Sequence, residues 1–184
     1  RGVHGDVEFE GVDVLDALQG LGKPVLAQVH AAVRGGGVGL MLACDLIVAS
    51  ETASFGTPEI RVGLFPMMIM TLIFRNVPRK HALEMMLTGD TLQPRRARDI
   101  GLINRVVPAD MLIAETRALA EQVASYSPAV LKLGKDAVYQ TQDMSQRDAL
   151  AHLRSQLTIN TMLDDAAEGV MAFMGKRAPE WKGR

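Results

Sequence analysis

The run Arg34-Gly35-Gly36-Gly37-Val38-Gly39 constrains this chain more than any other stretch. It follows an apolar run over residues 25–29 and precedes Leu40-Met41-Leu42-Ala43-Cys44. Read in order, that is a strand, a glycine loop and a helix start. Such a junction leaves backbone N–H groups without intrahelical partners. Those donors, with the positive end of the helix dipole, suit an oxygen on which negative charge develops. Glycine is needed where no Cβ can be tolerated beside a ligand. A tight turn packed closely on its helix would use the same residues. Two phosphate-binding patterns are excluded. G-x-G-x-x-G counted from Gly35 meets Leu40 in its last place, and no Lys-Ser or Lys-Thr follows to complete a P-loop.

The elements around this junction change character along the chain. Residues 1–22 read as loop, then a short helical stretch over 14–18 with Asp13 as its cap. Residues 45–49 form a second strand, 54–58 a turn, and the apolar stretch 66–74 a buried helix. A helix over 78–87 stops at Gly89. A shorter one over 94–100 closes at Gly101, and a strand over 102–107 ends at Pro108. From there on the pattern is helical. Asp110 caps a helix running to about Ser125. Ser127-Pro128 is an N-cap followed by proline in the first helical position. Ser145 with Asp148 has capping-box spacing, and Leu150, Leu153 and Leu157 then share one face. A last helix covers 164–174. The expected division is therefore 1–108, mixed α/β, and 109–184, all helix.

Composition limits what such a chain does. At 184 residues it is one domain, or one with a small addition. It is 48% hydrophobic and 22% charged, which excludes general disorder. A net charge of −1 gives no overall pull toward nucleic acid or an anionic membrane. The single cysteine, Cys44, forms no disulfide within the chain, and a reducing, intracellular compartment is expected. No run is long and apolar enough for a spanning helix. The start, Arg1-Gly2-Val3-His4, has no initiator Met and no apolar signal core, so it reads as internal or trimmed. Eleven methionines outnumber the aromatics, which suggests a core soft in places.

Few side chains are candidates for chemistry. Glu59 stands in Thr57-Pro58-Glu59-Ile60, between a turn and an apolar stretch. A carboxylate in such surroundings serves as general acid or base near neutral pH, although a solvated Glu at a helix start would look the same. His4, His30, His81 and His152 show no metal-ligand spacing, so no metal is expected. His30, directly after a strand, reads as a core histidine, and Cys44 as inert core on the apolar side of a helix. No G-x-S-x-G elbow is present. Arg95, Arg96 and Arg98 read as a solvated helix face, without the aromatics of a nucleic-acid platform.

Together these stretches resemble the crotonase, or enoyl-CoA hydratase/isomerase, superfamily from about Lys23 to Trp181. Lys23-Pro24-Val25-Leu26-Ala27-Gln28-Val29 is similar to the family's K-P-[VI]-[IL]-A-x-[VI] strand. Gly35-Gly36-Gly37 with Cys44-Asp45-Leu46-Ile47-Val48-Ala49 resembles G-G-G…C-D-[ILF]-x-[IV]-A. Phe55-Gly56-Thr57-Pro58-Glu59-Ile60 with Gly63 and Pro66 resembles F-G-x-P-E-[IV]-x-x-G-x-x-P. Leu87-Thr88-Gly89, Gly101-Leu102-Ile103 and Val106-Val107-Pro108 resemble the downstream motifs, and Phe173 to Trp181 with Lys176-Arg177 resembles F-x-x-K-R-x-P-x-[FW]. Each motif is weak; their order and spacing together are specific.

The resemblance implies an α/β fold, a crotonase-like spiral of β-β-α units incomplete at its N-terminus, with a helical C-terminal oligomerisation region. It implies enoyl-CoA hydratase/isomerase chemistry on acyl-CoA thioesters through an enolate-like oxyanion. The Gly36 N–H polarises the thioester carbonyl and Glu59 moves the proton. Gly35, Gly36, Met67, Phe173 and Lys176 are expected to contact the coenzyme A part of the substrate, the last two on a neighbouring subunit. No cofactor is bound permanently and no metal is implied. The expected partners are an acyl-CoA substrate and further copies of the chain, as homotrimer or homohexamer, with no nucleic acid and no membrane. The expected location is cytoplasmic, or the mitochondrial matrix.

The chain also departs from the family pattern. The second glutamate of the hydratases falls on Gly39, so replacing Gly39 by Glu is expected to raise hydration if the backbone there accepts a side chain. Met67-Met68-Ile69-Met70-Thr71 stands where the family has G-x-G-G-T, with the Met67 N–H still able to donate. No A-x-x-G-x-D-L pattern occurs before Lys23. Three readings stay open: a hydratase, a Δ3,Δ2-enoyl-CoA isomerase using Glu59 alone, or a non-catalytic acyl-CoA-binding subunit.

Overall fold

All strand pairing in the described part of the chain is parallel, apart from one isolated bridge, and that sets the architecture. The computed structural model describes residues 11–184, with side chains from Val14 onward. The expected loop over residues 1–10 and His4 lie outside the described residues, and Asp13, expected as a cap, falls inside helix α1 (Gly11–Gln19) instead. Strands β1 (Leu26–Val29), β3 (Leu46–Ser50) and β5 (Arg105–Val107) form one sheet in the order β1-β3-β5. Strands β2 (Ala32–Arg34) and β4 (Ser54–Gly56) form a second. Leu26 pairs with Leu46, Val48 with Arg105, and Val33 with Phe55. The chain thus visits the first sheet, steps to the second, and returns through helix α2 (Gly36–Leu42), giving a β-β-α repeat.

The first sheet is covered on both faces, as parallel sheets are. On one side lies the main core, built from Val38, Met41, Ile47, Phe55, Ile73 and Met86 among others. It draws on α2, α3 (Met70–Asn76), α4 (Arg79–Thr88) and α5 (Pro94–Asp99). On the other side Val48 and Val107 meet Leu112 and Leu119 of α6 (Leu112–Ala124). This explains the continuous apolar run over 46–49 in the sequence.

The ends of several elements differ from the sequence reading. Residues 54–56 are a strand, because Phe55 is fully buried and exchanges two backbone hydrogen bonds with Leu92. The expected helix over 66–74 begins only at Met70; Met67, Met68 and Phe74 are exposed, while Pro66, Ile69, Leu72 and Ile73 point inward. The strand expected over 102–107 is confined to 105–107. Leu102 and Ile103 drop into the main core, and Asn104 bridges to Ile47, its Oδ1 accepting the Ile47 N–H at 2.7 Å. Asp110 sits in a 3₁₀ turn, Ala109–Met111, and makes no side-chain cap. Helix α1 (Gly11–Gln19) extends beyond the expected 14–18 at both ends.

Beyond β5 the structure is helical: α6, α7 (Pro128–Thr141), α8 (Gln146–Thr161) and α9 (Asp164–Met174). Ser127 and Ser145 cap α7 and α8, their hydroxyls accepting the N–H of Val130 and Asp148. Helix α7 is tied to the α/β core through Lys135. Its ammonium donates to Asp45 Oδ2 at 2.7 Å and to the carbonyls of Leu18 and Lys23. Asp45 also accepts the Val25 N–H and the Tyr139 hydroxyl. Burial, then the hydrogen bond to Asp45, pushes the Tyr139 hydroxyl up, so it stays protonated as a donor.

The last residues fold back onto this helical region. Asp165 is 1% exposed and accepts from Ser127 Oγ at 2.6 Å and from the N–H groups of Lys182 and Gly183. Trp181 donates its indole N–H to the Ser125 carbonyl and lies against Gly169, where a Cβ would come within 3.3 Å of the ring. Arg177 forms a bidentate pair with Glu168, whose carboxyl is held down to about 2, first by that hydrogen bond and then by the Glu180 N–H.

The hydrogen bond from Ser127 holds the Asp165 carboxyl below the ordinary range against the opposing effect of burial; the Lys182 and Gly183 donors add to it. A depressed folded value means that the clasp stabilises fully above the unfolded carboxylate value, about 4, and is lost as pH falls through the folded value. Trp181 is the only tryptophan, so its fluorescence reports the tail directly. Acidification below about pH 4 is expected to shift that emission. Asp165→Asn places an amide against donors, and is expected to show the shifted emission at neutral pH with a melting temperature lowered by several degrees. Unchanged emission in this variant would show that Asp165 does not hold the tail.

Candidate active site

The glycine loop and the turn carrying Glu59 meet at one point. Gly35 has φ +52°, a left-handed backbone that side chains rarely adopt, and a Cβ built there would lie 2.8 Å from Glu59 Oε1. Two requirements, dihedral and clearance, thus fall on the same residue. The Gly35 N–H donates to the Gly56 carbonyl, which sets the loop against β4. Gly36 opens α2, and nothing lies within 4 Å of where its Cβ would be. Its N–H meets no acceptor among the described residues.

Glu59 is carried by the 3₁₀ turn Pro58–Val62, which Gly63 ends with φ +78°. The Leu64 N–H donates to the Glu59 carbonyl and the Gly63 N–H to Ile60, so the backbone beneath the side chain is fixed. The carboxylate itself is uncommitted. Its Oε2 is buried and has no hydrogen-bond partner among the described residues. A buried acceptor without a donor is costly in a finished core and calls for an explanation.

Both groups line one cavity of about 620 Å³. Leu40, Phe65, Met67 and Ile69 form much of its wall, and Val14 and Leu15 of α1 close another side. Glu59 is the sole polar side chain among the described residues that line it. The arrangement presents one carboxylate and one backbone donor to an otherwise hydrocarbon-walled space. It suits an apolar group attached to a polar oxygen, and a proton moved along that group.

Several sequence expectations are corrected here. Met67 lines the cavity, but its N–H donates to the Phe65 carbonyl at 2.8 Å and is not free to hold a ligand. Gly39 has no left-handed backbone, yet it has no room for a side chain: a Cβ there would lie 2.3 Å from Ile69 Cγ2. Phe173 and Lys176 stand at the far end of α9, exposed and outside this chain's own cavity lining, which leaves their expected contact with a neighbouring subunit's substrate as it was. His30 is exposed rather than core. Cys44 lies just past the end of α2, half-buried; burial first, then neighbouring Asp45, pushes its thiol up, which makes it a poor nucleophile.

The sequence left other lining residues unnamed. Leu40 was accessible to it, being four residues after Gly36 and therefore on the same helix face. In the sequence Ile69 stands out only as one of the bulky residues in place of G-x-G-G-T. A second cavity, about 810 Å³, is larger and includes Asp45, Lys135 and Tyr139, but these three satisfy one another. No group of three or more His, Cys, Asp or Glu side chains is placed to hold a metal among the described residues, and no helix there is long and apolar enough to cross a membrane.

Known proteins resemble this chain in sequence and in fold. The family model for enoyl-CoA hydratase/isomerase matches residues 3–184. The chain is 36% identical over 168 residues to 2,3-dehydroadipyl-CoA hydratase of Escherichia coli (strain K12), covering 91% of this chain and 66% of that one. It is 36% identical over 181 residues to the mitochondrial enoyl-CoA hydratase domain-containing protein 3 of Mus musculus, covering 98% and 60%. A solved enoyl-CoA hydratase structure from Mycobacterium smegmatis superposes with a TM-score of 0.90 at 37% identity, covering 93% of this chain and 66% of that one. The chain thus spans about three fifths to two thirds of the length of these relatives. Its β-β-α spiral is the crotonase fold, and the chain belongs to the enoyl-CoA hydratase/isomerase family.

Proposed function

We propose that this chain acts on acyl-CoA thioesters, moving a proton along the acyl group with Glu59 while Gly36 steadies the thioester oxygen. The observation that carries this reading is the unpartnered carboxylate of Glu59, the sole polar side chain among the described residues that line an apolar cavity. The acyl chain occupies the cavity and its carbonyl oxygen accepts the Gly36 N–H. Glu59 takes a proton from the carbon beside the carbonyl, and the electron pair moves onto the oxygen as an enolate. The resulting carboxylic acid returns the proton to a carbon further along, and the double bond shifts. No other reactant is consumed. Addition of water usually needs a second acid–base group, and Gly39 supplies none, so bond migration suits this site better than hydration.

Two further features belong to this proposal. Lys176 alone among described non-glycine residues has a positive φ, +51°. It occupies the left-handed position after α9 that glycine fills at less cost. A lysine in this strained backbone position supports a contact with the phosphates of coenzyme A. Helix α8 buries no residue fully, and Leu150, Leu153 and Leu157 lie open along it, with Met162, Phe173 and Met174 exposed nearby in sequence. That much uncovered apolar surface supports association of the chain with copies of itself, as a trimer or hexamer.

Glu59→Gln keeps the shape and removes the proton carrier. With a 3-enoyl-CoA and its 2-enoyl isomer, followed by thioester absorbance, turnover is expected to fall by about 10²–10⁴ while acyl-CoA binding persists. Gly36→Pro deletes the N–H and is expected to cost about 10²–10³ in rate. Full activity in Glu59→Gln would end the mechanism, and binding without turnover in the unaltered chain would favour a binding subunit. Lys176→Gly is expected to raise stability by about 1 kcal/mol and weaken coenzyme A binding; unchanged binding would remove Lys176 from the site. Light scattering of the purified chain is expected to give three or six copies, against which a monomer would count decisively.

A further inference from the structure

Gly39 lies in α2, one turn after Gly36, and its backbone is helical. Nothing in its dihedrals calls for glycine. What excludes a side chain is Ile69: a Cβ on Gly39 would stand 2.3 Å from Ile69 Cγ2 and 3.0 Å from Ile69 Cβ. Both residues are buried, and Ile69 belongs to the main core. Its carbonyl accepts the Ile73 N–H, so its backbone is locked to the first turn of α3. The volume missing from α2 is supplied by α3. This interlock forms part of the cavity wall, because Ile69 lines the same space as Glu59.

We infer that Ile69, seated in the hollow of Gly39, is a specificity-determining residue that steers the proton carried by Glu59 back to the acyl chain and away from addition of water. The inference rests on the reading of Glu59 as proton carrier. Addition of water across a double bond requires a water oxygen held at the reacting carbon and a group to take its proton. A buried water needs two to four polar partners, and Ile69 and Leu40 offer none. The side chain that could supply one has no space beside Gly39. With Ile69 in place, Glu59 is the only side-chain proton acceptor among the described residues of the lining.

The test compares the unaltered chain with Ile69→Ala, Gly39→Glu and the double variant Ile69→Gly/Gly39→Glu, which removes both obstructing atoms. Each is given the same 3-enoyl- and 2-enoyl-CoA pair, with hydration and bond migration followed separately. Exchange of the α-proton of a saturated acyl-CoA in heavy water is read alongside. Ile69→Ala is expected to raise hydration relative to migration about tenfold, and the double variant further, since a positioned acid–base group contributes about 10²–10⁴. Gly39→Glu alone is expected to melt at lower temperature without that rise. A double variant that melts cooperatively and exchanges the α-proton, yet keeps the original ratio, overturns the role of Ile69. So does Gly39→Glu alone matching the double variant. Should the double variant not fold, Ile69→Ala decides by the same ratio. Absence of α-proton exchange in the unaltered chain defeats instead the reading of Glu59, and the inference with it.

Discussion

The structure turns on the clearance between Gly35 and Glu59. An ideal Cβ on Gly35 would stand 2.8 Å from Glu59 Oε1, so any side chain there would push apart two elements that share little else. One is the junction of β2 and α2; the other is the 3₁₀ turn after β4. Parallel pairing of β2 with β4 brings these two ends to the same edge of the second sheet. In a parallel sheet, equivalent ends of successive strands lie side by side, so the loops leaving them collect together. The carboxylate and the backbone donor are neighbours because the strands feeding them are.

The cavity is held from behind by residues that take no part in its chemistry. Asp45 accepts from Val25, Lys135 and Tyr139, fastening the start of β1 and helix α7 to the end of α2. Such a buried pair contributes little net stability while it is intact, and its loss is costly when one partner is removed. Its value here is registry: α1, which closes one wall of the cavity, is fixed by the same ammonium through the Leu18 carbonyl. A polar knot with every member satisfied positions an apolar pocket that contains one unsatisfied carboxylate.

Much of this was legible in the sequence where a local rule operates. Gly89 and Gly101 end their helices with left-handed backbones, as their positions after apolar-periodic segments suggested. Ser127 and Ser145 cap α7 and α8 through hydroxyls that proline placement and capping-box spacing foretold. Gly36 and Glu59 were named, and the structure sets both on one cavity. What was not legible depends on distant partners. Residues 54–56 looked like a turn because Gly56 and Pro58 are turn-formers, yet pairing with β2 and burial of Phe55 made them a strand. Met67 lost its N–H to a carbonyl two residues away. For Gly39 the local rule concerns the backbone alone, whereas Ile69, thirty positions later in the chain, decides what it can carry.

The clasp of α7 on α1 has a kinetic consequence. Lys135 Nζ reaches the Leu18 carbonyl across 117 residues, and Asn104 meets Ile47 across 57. Parallel strands cannot be joined by hairpins, so every such contact waits on closure of a long loop, and chains dominated by distant pairings fold slowly. Gly35, Glu59 and Ile69, by contrast, fall in one short stretch spanning a single β-β-α turn. The reacting end of the pocket can therefore form before the chain has closed on itself, with α1 and α7 docking last. Until they dock, the apolar wall stays open to solvent and to other chains, and the interval before closure is when aggregation competes with folding.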